Sequence, residues 1–208
     1  MRRHFCSQVD LQRRFHLEYR TPMETTGTPT DTAAALRNSS GRASAYGRAA
    51  VWVLIGGLIA GAFDITFAFV FYLPQGATPL RILQGIASGV LGRGSFQMGA
   101  ASAALGAFFH FFISVCAAGI YYLASLRLPF LTRRVLISGA VFGVLMFLAM
   151  RLAVLPLSTI GFRPMKVGNI IGELFSHVFL FGMVIAYAAS RARSLPYHIR
   201  SSGTTKSL

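Results

Sequence analysis

Residues 49–73, AAVWVLIGGLIAGAFDITFAFVFYL, decide the fold. The run exceeds the roughly 20 apolar residues that cross a bilayer, follows Arg48 and stops at Pro74. One carboxylate, Asp64, interrupts it. A charge facing lipid at mid-membrane costs about 2.5–3.5 kcal/mol on insertion scales. The segment therefore reads as a membrane span whose Asp64 turns inward, toward a partner or a task.

Three more runs are long enough to span: 100–124, 135–155, closed by Pro156, and 168–190, stopped by Arg191 and Arg193. The expected fold is an all-α, polytopic transmembrane helix bundle. Between the first two spans lies TPLRILQGIASGVLGRG, residues 78–94. Thr78 suits an N-cap, Pro79 the first helical position, and Gly92 to Gly94 a helix end. The helix predicted over 79–91 is too short to cross, so it is interfacial or re-entrant. Its Arg81, Gln84 and Ser88 share one face, with Leu83, Ile86 and Val90 elsewhere.

Composition agrees. The chain has 208 residues, 54% hydrophobic and 12% charged, about half the charged fraction usual in soluble domains. The net charge of +14 raises nucleic-acid binding as a reading. Its distribution excludes that, because Lys and Arg sit in tails and short loops, where they orient spans and meet lipid headgroups. The lipid bilayer is the expected partner, and no nucleic acid is. Residues 1–45 are polar and read as a disordered basic tail, 46–193 as the four-span domain, and 194–208 as a second disordered tail. Met23 offers an alternative start to Met1, which makes residues 1–22 dispensable. The first apolar run begins too late and is too long for a cleavable signal. Cys6 and Cys116 give no disulfide framework.

Lys and Arg near the span ends set orientation. Arg37, Arg42 and Arg48, then Arg127, Arg133 and Arg134, then Arg191, Arg193, Arg200 and Lys206 fall on one side. Arg81, Arg93, Arg163 and Lys166 fall on the other. Both termini are thus expected in the cytoplasm, with the protein in a bacterial inner membrane.

GAFDITFA in the first span, ILQGIASGVLGRGSF after it, ALGAFFHF in the second and VLPLS ending the third carry a resemblance. Over roughly residues 50–190 the chain resembles a group of small bacterial four-span inner-membrane proteins with no assigned activity. The resemblance implies fold and location only. Where that group would carry a polar amide before the end of the third span, this chain has Arg151.

Beyond Asp31 the only acidic residues are Asp64 and Glu173, both inside apolar runs. Under the expected orientation, Asp64, His110, Arg151, Glu173 and His177 all fall in the outer half of their spans. At 1.5 Å per residue, Asp64, His110 and His177 lie about 14–15 Å below the outer ends. Asn169, Glu173 and His177 form an i, i+4, i+8 stripe with Ser176 beside it. Ala103, Gly106, His110, Ser114 and Ala117 make a small-residue face on the second span. Gly57/Gly61, Gly139/Gly143 and Gly168/Gly172 have the spacing that brings helix backbones close.

The leading expectation is a non-enzymatic membrane protein with an outer-leaflet polar cluster of Asp64, His110, Arg151, Asn169, Glu173 and His177. That cluster either pairs Asp64 or Glu173 with Arg151 or forms a pocket that binds or conducts a small species or protons. Two alternatives stand beside it. One is a haem or metal redox site using His110 and His177, with Asp64 and Glu173 as further metal ligands. The other is a purely structural or assembly role. No cofactor is expected, since the spacing is neither HExxH nor ExxH, and phosphate-loop, G-x-S-x-G and CxxC motifs are absent. Substrate, oligomeric state and protein partners stay open.

Overall fold

A computed structural model describes residues 29–159, 161 and 164–194, with side-chain surroundings from Tyr46 onward. Ala43–Leu208 forms one compact unit, and Met1–Arg42 another, of which only the helical stretch from Pro29 is described. Residues 1–28 and 195–208, which hold most of the expected tails and the choice between Met1 and Met23, lie outside the described residues.

The elements are α1 (Pro29–Tyr72), α2 (Pro79–Leu91), α3 (Gly99–Arg127), the short α4 (Phe130–Arg133), α5 (Val135–Leu157) and α6 (Val167–Ser194). There is no strand among the described residues. Four helical segments are long and apolar enough to cross a membrane: Tyr46–Gln75, Gly99–Arg127, Val135–Leu157 and Val167–Ser194. The chain is an all-α, multi-pass membrane protein. Residues 29–45, expected without regular structure, are helical. Pro29 suits a first helical position, and the alanines at 33–35 extend readily from a helix already nucleated in the span.

The ends of α2 fall where its punctuation places them. The Arg81 amide donates to Thr78 Oγ1 at 3.4 Å, and Gly92 ends the helix at φ 65°. The surroundings of its polar face differ from a free interfacial helix. Gln84 is 2% exposed and donates through Nε2 to the Gly99 carbonyl at 3.0 Å. Ser95 Oγ donates back to the Gln84 carbonyl, and Ser102 Oγ to the Ser95 carbonyl. Gly106 of α3 lies directly against the Leu83 carbonyl, where any side chain would collide with backbone. Thr159, in the α5–α6 connection, donates from Oγ1 to the Ser88 carbonyl and from its amide to the Gly89 carbonyl. Helix α2 is therefore held by both its neighbours. Arg81 leaves that buried face and stacks over the Phe96 ring, 5.3 Å from its centroid.

In the half of the bundle nearer α4, small residues set the packing. Ala60, Ala117, Ala118, Tyr121, Ile185, Ala186 and Ala189 are buried together. Tyr121 donates its hydroxyl toward the Leu131 carbonyl at 2.9 Å and Ser138 Oγ at 2.8 Å. Arg193 donates to the Ser125 carbonyl near the end of α3. The Gly139/Gly143 pair meets α6 as its spacing predicts, with Gly182 as the reciprocal member: Gly143 faces the His177 carbonyl, and Gly182 the Gly139 carbonyl. Gly172 packs under the Phe71 ring, while Gly168 faces open space, so the third pair does not act as one.

Two helices widen locally into π turns, α5 at Met150–Val154 and α6 at Ser176–Gly182. Pro156 accounts for the first. Its ring lacks an amide proton and crowds the carbonyl four residues back, and the wider turn absorbs that conflict.

Candidate functional site

Helices α1 and α6 run antiparallel, and their polar residues face each other at matching spacing. Asp64 and Tyr72 stand two turns apart on α1, opposite Ser176, His177 and Glu173 on α6. Two side-chain bonds join them: Ser176 Oγ donates to Asp64 Oδ1 at 2.5 Å, and the Tyr72 hydroxyl to Glu173 Oε1 at 2.8 Å. His177 Nδ1 lies 3.9 Å from Asp64 Oδ1, too long for a hydrogen bond. Its Nδ1 proton is held instead by the Glu173 carbonyl at 2.9 Å.

Helix α3 uses the same device in reverse. His110 Nε2 donates to the Gly61 carbonyl at 2.9 Å, and Ser114 Oγ to the Gly57 carbonyl at 2.6 Å. Both acceptors are glycines of α1 because only there does its backbone come close enough: a Cβ on Gly57 would meet the Val115 backbone. The Gly57/Gly61 spacing and the small-residue face of α3 are two sides of one contact.

These groups surround a cavity of about 700 Å³, inside the usual range for small-molecule sites. Asp64, His110, Arg151, Asn169, Glu173 and His177, all named from the sequence, line it. So do residues not assigned to the cluster, chiefly Tyr72, Arg81 and Ser114. Tyr72 was detectable, since it stands two turns beyond Asp64 on the same helix face. Arg81 was not, because its place depends on how α2 docks. The rest of the wall is mostly apolar, from Ile82 and Ile86 on α2, Ile113 on α3, and Met146 and Met150 on α5. Phe181 is shared by the cavity and the packed half below it, and so forms the floor. Exposed Arg81 and Pro164 stand at the rim. Both π turns border the cavity: one contains Arg151, and the other begins with Ser176 and His177. Such turns recur at functional sites.

Asp64 Oδ1 accepts from Ser176 Oγ, and the His177 ring lies beside it. Arg151 shares the cavity from α5. Among the described residues, no three His, Cys, Asp or Glu side chains converge as a metal-ligand set. Each cavity histidine also has one ring nitrogen committed to a backbone carbonyl. No protein-family model, no curated protein and no solved structure matches the chain.

Proposed function

We propose that this is a non-enzymatic protein of the bacterial inner membrane whose cavity binds a small ligand entering from the outer side, with both termini cytoplasmic. The observation that carries the reading is the convergence of ionisable side chains from every span on one cavity that ends at Phe181. Intramembrane ionisable groups that face a cavity mark ligand or ion sites. The packed alanine core beneath the floor favours binding over conduction. Orientation rests on charge: Arg48, Arg127, Arg133, Arg134, Arg191 and Arg193 lie at the α4 end, against Arg81, Arg93 and Lys166 near α2.

Cysteine accessibility tests both parts. In a Cys6→Ser/Cys116→Ser background, Asn169→Cys in intact cells should react with a membrane-impermeant maleimide added outside. Ala189→Cys should stay unreactive from either side. Labelling of Asn169→Cys only from the cytoplasmic face of inverted vesicles would reverse the orientation. Equal labelling of both positions would remove the closed floor and with it the binding reading.

A further inference from the structure

Away from the cavity, the α4 end of the bundle carries a second charged surface. Arg127 closes α3, Arg133 closes α4, Arg134 precedes α5, and Arg193 lies in the last turn of α6. All four are exposed. From Tyr46 onward the described residues include two carboxylates, Asp64 and Glu173, and both line the cavity. None of these four arginines therefore meets a carboxylate among the described residues.

The turn that presents them is fixed from below. Tyr121, 2% exposed, donates its hydroxyl to the Leu131 carbonyl at 2.9 Å. The buried Ser138 Oγ lies 2.7 Å from that carbonyl and 2.8 Å from the Arg134 carbonyl. The Leu128 amide donates to the Ala124 carbonyl and the Arg134 amide to the Phe130 carbonyl, while Leu131 packs against the alanine core. Arg193 donates to the Ser125 carbonyl, two residues before Arg127, and so brings the cation of α6 to the same place. Between the arginines stand Leu128 and Phe130, both exposed. Leu123 and Leu126 on α3, and Leu136 and Ile137 on α5, are exposed apolar side chains of the adjoining spans. A short turn between two spans lies at headgroup level, where cations beside apolar side chains meet lipid phosphate.

We infer that this surface is a binding site for an anionic phospholipid. Its phosphate is held by Arg127, Arg133 and Arg134, with Arg193 beside them, and its acyl chains lie on the apolar side chains of α3 and α5. Guanidinium groups suit this task because their fork of N–H donors matches phosphate oxygens. A zwitterionic headgroup offsets its own phosphate with an ammonium, so uncompensated arginines favour a headgroup of net negative charge. Leu128 and Phe130 favour an occupant that carries hydrocarbon next to its phosphate over a free anion or an acidic protein. The difference from the diffuse attraction of any basic loop is the held turn, which sets the arginines in place before the lipid arrives.

Native mass spectrometry of the full chain in detergent, titrated with dioleoylphosphatidylglycerol or dioleoylphosphatidylcholine, tests this. The natural chain should bind the first anionic lipid at least about tenfold more tightly than the zwitterionic one. Each arginine lost should weaken anionic-lipid binding about fivefold, so Arg133→Gln/Arg134→Gln should weaken it about 25-fold. That pair should leave phosphatidylcholine binding unchanged, and Arg133→Lys/Arg134→Lys should keep most of the preference. Arg93→Gln/Lys166→Gln removes two exposed cations near α2 and should keep all of it. Equal affinity of the natural chain for the two lipids overturns the inference, and this comparison needs no variant to fold. Equal weakening by the two glutamine pairs also overturns it, by reducing the effect to net charge. So does displacement of the bound lipid by inorganic phosphate at matched ionic strength, which makes the surface a free-anion site. Tighter binding of polyglutamate than of phosphatidylglycerol assigns it to an acidic protein partner instead.

Discussion

Toward α4, the spans meet through alanine, glycine and the buried Tyr121; toward α2, they keep charged side chains around an unfilled volume. Lipid surrounds both halves, so neither gains from hiding apolar surface as a soluble core does. Helix association in lipid depends on close backbone approach and on hydrogen bonds of about 0.6 kcal/mol each. The α4 half supplies the approach, at Gly56 against Ala188 and through Gly139, Gly143 and Gly182 between α5 and α6. The α2 half adds side-chain bonds around the cavity, Ser176 to Asp64, Tyr72 to Glu173 and His110 to Gly61, beside close approaches at Gly57 and Gly106.

The largest expected effect lies where the two halves join. Gly143→Leu would drive a side chain into the His177–Val178 backbone. It should destabilise by more than about 3 kcal/mol, beyond ordinary overpacking, because backbone has to yield. Loss of a monodisperse peak in size exclusion is the readout; a stable, monodisperse variant would mean that α5 and α6 do not meet there.

Phe181→Ala removes the floor. Truncating a buried aromatic should lower resistance to unfolding in mixed SDS micelles by about 3–5 kcal/mol. In the same background Ala189→Cys should become reactive, joining the halves that Phe181 divides. Unchanged protection of that position would place the barrier elsewhere.

Tyr121→Phe probes the packed half alone. Loss of the bonds to Leu131 and Ser138 should destabilise by about 1–2 kcal/mol without changing maleimide labelling of Asn169→Cys. Altered labelling of Asn169→Cys in this variant would show the halves to be coupled. The smallest effect belongs to Gly168→Ala. With open space around it, the added methyl should shift stability by no more than about 0.5 kcal/mol. A large loss would mean that the Gly168/Gly172 pair packs against something after all.

Local signals were the legible ones. Apolar length alone marks four spans, and Thr78–Pro79 with Gly92 brackets α2, because capping acts within a turn. A charged residue in an apolar run is equally plain, and Asp64, His110, Arg151, Asn169, Glu173 and His177 do share one cavity. Their pairing was less legible. Which partner Asp64 meets depends on the helix beside it and on the phase of that helix. The π turn at Ser176–Gly182 changes the phase by inserting a wider turn where the stripe ends. Gly182 escaped notice for the same reason: it has no glycine neighbour at the usual spacing on its own helix, and its fit is to Gly139 and Gly143 on another. The helical stretch before Ala49 was hidden by its polar composition, which resembles that of an unstructured tail.

The tie between Thr159 and the end of α2 bears on how the chain is made. When α2 leaves the ribosome it has neither the Gly106 notch of α3 nor the Thr159 donors to rest against, since both are still to be synthesised. At 13 residues it is too short to cross as a span. Its C-terminal carbonyls find Thr159 only after the third span has been translated and returned to the same side. The α2 wall of the cavity can thus gain its Thr159 contacts only after the third span has been made.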